Sequence, residues 1–399
     1  MLFNATVSAE RPHIAFFGRR NAGKSSVVNA ITSQRLSVVS DTPGTTTDPV
    51  QKAMELLPLG PVVIIDTPGF DDEGALGALR VERTREVLRK TDIAVLIADG
   101  TAGLSDADRA LIAEFDSRGL PYLIVYNKSD LSGFSAEEGE RTVAVSALTG
   151  EGIDLLKERL ATIVRSEERE RFIVADLVPR GSTVILVIPI DGSAPKGRII
   201  LPQQQTLREL LDHRCSVICC QPEELSDTLA GLTKSPALVI TDSQAFGRVS
   251  KDVPDEIPMT SFSILFARYK GSLGELMRGA QALRTLSDGD RVLISEGCTH
   301  RRQCGDIGTV KLPAWIRAHC GADPEFAFTS GGSFPDDLSG YKVIVHCGGC
   351  MLNEKEMQHR QQAAKTASVP MVNYGIAIAE MNGILDRALR PLKHGCSSR

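Results

Sequence analysis

Gly18, Gly23, Lys24 and Ser25 are spaced as G-x-x-x-x-G-K-S, behind the apolar run Ile14 to Phe17 and ahead of a helical pattern. At such a strand-loop-helix junction, consecutive N–H groups cradle phosphate oxygens, the lysine reaches the terminal phosphates and the serine hydroxyl binds magnesium. Gly18, Asn21, Ala22, Gly23, Lys24, Ser25 and Ser26 are thus the candidate phosphate-binding residues. Asp-Thr-Pro-Gly occurs twice, at 41–44 and 66–69, and only the second copy follows a buried-strand run, Val62 to Ile65. Asp66 and Gly69 are therefore assigned to the magnesium side. The first copy is assigned to a switch segment, in which Thr46 or a neighbouring threonine closes on magnesium and the terminal phosphate. Asn127, Lys128 and Asp130 end a later strand-like run. An aspartate there accepts from the guanine N1–H and exocyclic amine, a donor pair that adenine lacks. Ser146 and Ala147 supply a loop that closes on the base. Four motifs in this order predict a GTP-hydrolysing domain with Lys24 and Thr46 at the reacting phosphate.

A second group of residues suits metal chemistry. Cys298-Thr299-His300 follows the apolar run Val292 to Ile294, and His346-Cys347-Gly348-Gly349-Cys350 ends the run Val343 to Val345. A parallel sheet brings both strand ends to one edge, so Cys298, Cys347 and Cys350 converge there, with His300 and His346 beside them. The two glycines let the backbone turn tightly and let N–H groups approach sulfur. Three thiolates and a histidine suit structural zinc, three thiolates also hold a 4Fe-4S cluster, and three reduced thiols without metal are a further reading.

These groups need scaffolds, and the 399 residues are too many for one ordinary core. The expected fold is α/β in three parts. A P-loop GTPase domain (1–170) is followed by a small α/β assembly domain (175–262) and a doubly wound domain (263–399). The charge-rich segment Ser166 to Arg171 marks the first boundary. Apolar runs such as "STVILVIPID", "GRIILP", "CSVICCQ" and "PALVITD" alternate with helical stretches in the middle part, which carries no catalytic constellation. Cys219 and Cys220, adjacent on a strand, point to opposite faces and cannot chelate one ion together. Dimerization is the expected role of this part. Trp315, the single tryptophan, is expected as a core anchor.

The net charge of -5 gives no global attraction for nucleic acid or an anionic membrane, and no apolar run approaches the roughly 18 residues that span a bilayer. With nine cysteines and no leader pattern, the chain reads as cytoplasmic, with its thiols reduced or metal-bound. A radical-SAM enzyme is excluded because no Cys-x3-Cys-x2-Cys run exists.

Phe70 follows the second Asp-Thr-Pro-Gly, where Ras-like proteins place a water-orienting glutamine. With this hydrophobic residue, the "PGTTTD" switch and Asn21, the domain resembles the TrmE and Era branch of GTPases. That resemblance implies that Asn21 helps hold a potassium ion and that hydrolysis is potassium-stimulated. Joined to "CTH" and "HCGGC", the whole chain resembles the HydF family, the GTPases of FeFe-hydrogenase maturation. The resemblance implies a 4Fe-4S cluster held by Cys298, Cys347 and Cys350, with the fourth iron open or bound weakly by His300, His346 or another exchangeable group. It also implies a diiron precursor received from two radical-SAM maturases and delivered to apo FeFe-hydrogenase. The alternative is a GTPase of ribosome or tRNA maturation with a structural zinc module, although the chain has no basic, aromatic-interleaved stretch for RNA.

Overall fold

The computed structural model describes residues 11–32, 50–67, 84–136, 139–167, 172–190, 199–271, 273–297, 306–349 and 352–393. The chain forms two compact units, Met1–Arg169 and Glu170–Arg399.

In the first unit, β1 (His13–Gly18), β2 (Val50–Leu56), β3 (Gly60–Asp66), β4 (Ile93–Asp99), β5 (Tyr122–Asn127) and β6 (Thr142–Ala144) form one sheet in the order β2-β3-β1-β4-β5-β6. Only the β2–β3 pair is antiparallel. Central strands of a parallel sheet are covered on both faces, which is why β1 and β4 read as continuous apolar runs. Ile14 and Phe16 enter one core cluster while Ala15 and Phe17 enter the other, as the two-residue strand period demands. Each fully buried large aliphatic or aromatic side chain contributes roughly 1.5–3 kcal/mol.

The second unit holds two four-stranded parallel sheets. One comprises β7 (Thr183–Val187), β8 (Ser216–Cys220), β9 (Leu238–Thr241) and β10 (Met259–Ser261), ordered β10-β9-β7-β8. The other comprises β11 (Arg291–Glu296), β12 (Glu325–Ser330), β13 (Val343–His346) and β14 (Met371–Asn373), ordered β12-β11-β13-β14. One core cluster spans both: Ile185, Val187 and Val239 pack in the same body as Val292, Ile294, Val343 and Val345. The helix Phe262–Lys270 is shared in the same way. Phe262, Leu265 and Phe266 cover the far face of the first sheet, whereas Ile264 and Ala267 join the common core.

Two local expectations are corrected. Within "GRIILP", Ile199 and Ile200 form no strand but lead into the helix Leu201–Asp212, whose first turn carries Pro202. Proline is compatible with a first helical turn because that turn needs no donor from it. Trp315 is 36% exposed rather than a core anchor, because the helix Leu312–Cys320 turns Leu312, Pro313 and Ile316 inward instead. On β8, Cys219 is exposed and Cys220 buried, in keeping with opposite faces. No helix among the described residues is long and apolar enough to cross a membrane.

Candidate functional site

β1 carries the chain to Gly18, which packs against β4 so closely that a Cβ there would lie 2.7 Å from the Ile97 carbonyl oxygen. The loop then takes left-handed backbone at Asn21 (φ 63°) and Gly23 (φ 86°) before the helix Lys24–Thr32 begins. Asparagine is among the few non-glycine residues that accept this conformation. Ala22 and Lys24 are buried, and Ser26 is exposed on the first helical turn. Asp66 ends β3 and forms an ion pair with Lys24, while Ser25 Oγ lies 3.4 Å from Asp66 Oδ2. The lysine that would meet phosphate is thus held by the carboxylate on the magnesium side.

β5 ends at Asn127, a buried amide that joins two loops. Its Nδ2 donates to the Ala22 carbonyl at 3.0 Å, and its Oδ1 accepts from the Ala147 N–H at 3.1 Å. Gly23 is obligatory beside it, since a Cβ there would come within 2.1 Å of Asn127 Nδ2. Ser146 Oγ donates to Asp130 Oδ1 at 2.6 Å and accepts from the Thr149 N–H at 3.1 Å, so the carboxylate and the base-side loop are fixed together. Lys128, at φ 72°, pairs with Asp99 at the end of β4. Burial alone would raise the Asp99 carboxyl, but hydrogen bonds from Lys128 and Thr101 outweigh it and hold the group below the usual carboxylate range.

Sequence reasoning missed Asp99 and a second support, Asp108. The fully buried Asp108 caps the helix Asp106–Ser117 with Ser105 and forms an ion pair with Arg19 of the phosphate loop, Nε to Oδ2 at 3.1 Å. The Ser-x-x-Asp spacing at 105–108 is a capping-box signal that could have marked that helix start, but not its partner Arg19. Thr46, Gly69 and Phe70 lie outside the described residues.

In the second unit, β11 and β13 pair in parallel with Ser295 opposite His346. β11 therefore ends at the same sheet edge where β13 delivers Cys347. The Cys347 N–H donates to the Ser295 carbonyl at 2.9 Å. Cys347 Sγ accepts from two backbone N–H groups, those of Gly297 at 3.0 Å and Gly349 at 3.4 Å. Neither glycine can be enlarged in place. A Cβ on Gly297 would lie 2.7 Å from the Leu352 side chain, and Gly349, at φ 62°, would place one 2.6 Å from Met357 Sδ. Cys298, His300 and Cys350 lie outside the described residues. No group of three metal-binding side chains forms among the described residues. A sulfur facing two N–H groups across a glycine turn nevertheless suits a thiolate that ligates a soft metal centre, since such contacts stabilise charge on sulfur.

His346 is fully buried, with both ring nitrogens engaged. Arg360 Nη1 lies 3.0 Å from Nε2, and an arginine can only donate, so Nε2 accepts. The ring proton is then on Nδ1, which donates to the Cys347 carbonyl at 2.7 Å. As placed, His346 holds the backbone of the loop and offers no lone pair to a metal beside Cys347. Arg360 is itself fully buried, donating also to Glu356 Oε1 at 2.8 Å and the Gly331 carbonyl at 2.9 Å. Beside this edge, the Tyr374 hydroxyl donates to Glu296 Oε1 at 3.2 Å; burial, then the nearby charges of Glu296 and Cys347, keep it protonated.

Known proteins resemble this chain in separate stretches. Residues 13–128 match the family model of the 50S ribosome-binding GTPase. The tRNA modification GTPase MnmE of Laribacter hongkongensis is 36% identical over 160 residues, 39% of this chain and 35% of that protein. GTPase Der of Wolinella succinogenes is 33% identical over 172 residues, 39% of this chain and 36% of that protein. The chain thus spans about a third of the length of these relatives. A crystal structure of Aquifex aeolicus Era is 19% identical and is covered to 93% by 52% of this chain, with a TM-score of 0.35. Beyond the GTPase domain, residues 173–271 match the hydrogen maturase F dimerization domain and residues 274–391 the hydrogen maturase F tetramerization domain. With two models of one family following a GTPase domain, the chain belongs to the hydrogen maturase F (HydF) family.

Proposed function

We propose that this protein is a GTP-hydrolysing scaffold and carrier. On this reading it holds a 4Fe-4S cluster, accepts a diiron precursor of the hydrogenase active site from radical-SAM maturases, and passes it to apo FeFe-hydrogenase. The observation that carries the reading is the Cys347 sulfur, facing two N–H groups at a strand-end edge, in a chain of the hydrogen maturase F family that also bears a nucleotide site. Self-association, as a dimer or a higher homo-oligomer, follows from the two domains named for it.

In the nucleotide site, Asp130 accepts from the guanine edge while Ser146 holds its carboxylate in place. Lys24 exchanges its ion pair with Asp66 for the terminal phosphates, and Thr46 closes from the switch segment. Ser25 and Asp66 would hold magnesium, which would neutralise charge on the phosphates. Asn21 helps hold potassium at the phosphate loop, supplying positive charge where other GTPases use an arginine.

At the metal-holding edge, Cys298, Cys347 and Cys350 provide three thiolates, and His300 is the histidine that can serve as an exchangeable ligand. Their cluster supplies an iron that no thiolate saturates. His346 and Arg360 hold the Cys347 backbone.

The test is metal content and electron paramagnetic resonance of anaerobically purified, iron-sulfide-reconstituted protein, with Cys347→Ala as the control. About four irons per chain and a reducible 4Fe-4S signal are expected, both lost in Cys347→Ala while GTP hydrolysis persists. Stoichiometric zinc that resists replacement by iron would sink the carrier reading and favour a GTPase with a structural zinc module.

A further inference from the structure

Lys270 ends the helix Phe262–Lys270 and is 6% exposed. Its Nζ reaches across 79 residues of sequence to the Gly349 carbonyl and 82 to that of Leu352, at 3.1 Å in each case. The Gly349 carbonyl also accepts from the Leu352 N–H at 3.1 Å, so the ammonium bonds to the carbonyls of two residues that are themselves joined. Gly349 faces two ways: its carbonyl points to Lys270, and its N–H lies 3.4 Å from Cys347 Sγ. Gly349 has left-handed backbone (φ 62°), and a Cβ there would lie 2.6 Å from Met357 Sδ, so the position suits glycine, whose own flexibility leaves the carbonyl contacts to fix it. Burying an ammonium is costly, whereas a methionine of similar length would fill the same space without that cost. The position is thus poor value as packing alone.

We propose that Lys270 is a positioning residue of the metal-holding edge. Its ammonium fixes Gly349 and Leu352 so that the N–H groups of Gly297 and Gly349 stay on Cys347 Sγ, and it places a positive charge behind an anionic thiolate centre. The proposal deepens the cluster reading and rests on it. Lys270 lies in the segment matched to the dimerization domain and its acceptors in the segment matched to the tetramerization domain, so the contact joins the two.

Lys270→Met keeps the length of the side chain and removes every donor; Lys270→Gln keeps donors and removes the charge. Backbone amide exchange across 343–353 is measured on the metal-free full chain, followed by iron release to a chelator and the cluster reduction potential after reconstitution. In Lys270→Met, exchange in this segment and iron release should each rise about tenfold or more, the expected size for losing hydrogen bonds from a charged donor. The potential should move to more negative values, because both the positive charge and an N–H to sulfur contact are lost. Lys270→Gln should keep exchange close to wild type and still shift the potential.

Wild-type exchange, release and potential in Lys270→Met would overturn the proposal and leave the cluster reading standing. Failure of the wild-type chain to take up a cluster would remove the cluster reading instead, and the metal-free exchange data would then decide the positioning role alone. If Lys270→Met loses protection throughout 173–391, Lys270→Gln decides; global unfolding of both would make Lys270 a purely structural residue and overturn the proposal.

Discussion

Two sheet edges carry the candidate sites, and their polar side chains are arranged differently. At the nucleotide edge the charged side chains are paired with other side chains, Lys24 with Asp66, Lys128 with Asp99 and Asp130 with Ser146, while the Asn127 amide alone among those described above holds backbone. At the Cys347 edge the polar side chains nearest the loop hold backbone, His346 taking the Cys347 carbonyl and Lys270 those of Gly349 and Leu352, with Arg360 bonded to His346 and Glu356 behind them. The first arrangement keeps charged groups neutralised until a charged ligand exchanges with them. The second fixes a main-chain path so that sulfur and N–H groups meet a ligand without rearranging. A ligand that is bound and released each cycle suits the first, and a resident centre suits the second.

Three substitutions sharpen or break this contrast. The largest effect is expected from Lys24→Ala, which removes the charge on the terminal phosphates and should cut GTP turnover by about 10²–10³-fold. Iron loading should be untouched. A parallel fall in iron content would show that the two edges are not separable. Next comes Asp130→Asn, which replaces an acceptor of two guanine donors with an amide. GTP affinity should weaken by roughly 10–100-fold, the equivalent of about 1.5–3 kcal/mol for a charged hydrogen bond. A xanthine nucleotide, whose 2-oxo group suits an amide donor, should bind better than it does to the parent. Unchanged preference for GTP in a competition titration would refute the assignment of Asp130. The smallest effect is expected from Asn21→Gly, which keeps the left-handed backbone at φ 63° while deleting the carboxamide. Hydrolysis in sodium should barely change, while any stimulation by potassium should disappear. Equal stimulation in the two proteins would remove Asn21 from the ion site.

Legibility in the sequence followed the distance between partners. The phosphate loop, the strand ending at Asp66 and the Asn127–Asp130 segment are short contiguous patterns, and each lies at a strand end in the structure. That β11 and β13 end at one sheet edge was readable because each apolar run stops at a cysteine motif, whereas their direct pairing was not. Lys270 and Arg360 were not readable: a lysine at a helix end and an arginine within a charged helix look solvated until the fold carries them to the loop. The partner of Arg19 was hidden for the same reason, since Asp108 looks like an ordinary capping residue. Trp315 misled because size suggests burial, whereas its place on the helix turns it outward. The common core of the two smaller sheets was also invisible, because alternating apolar runs state which residues are buried but not against which sheet.

The Asn127 amide has one further consequence. A single planar group, with one atom on the phosphate loop and another on the base-side loop, acts as a shared fastener between the two halves of the nucleotide pocket. A base that displaces Ala147 tugs on the same group that steadies Ala22. Any shift of the Ala147 backbone is therefore passed to Ala22 through one planar group.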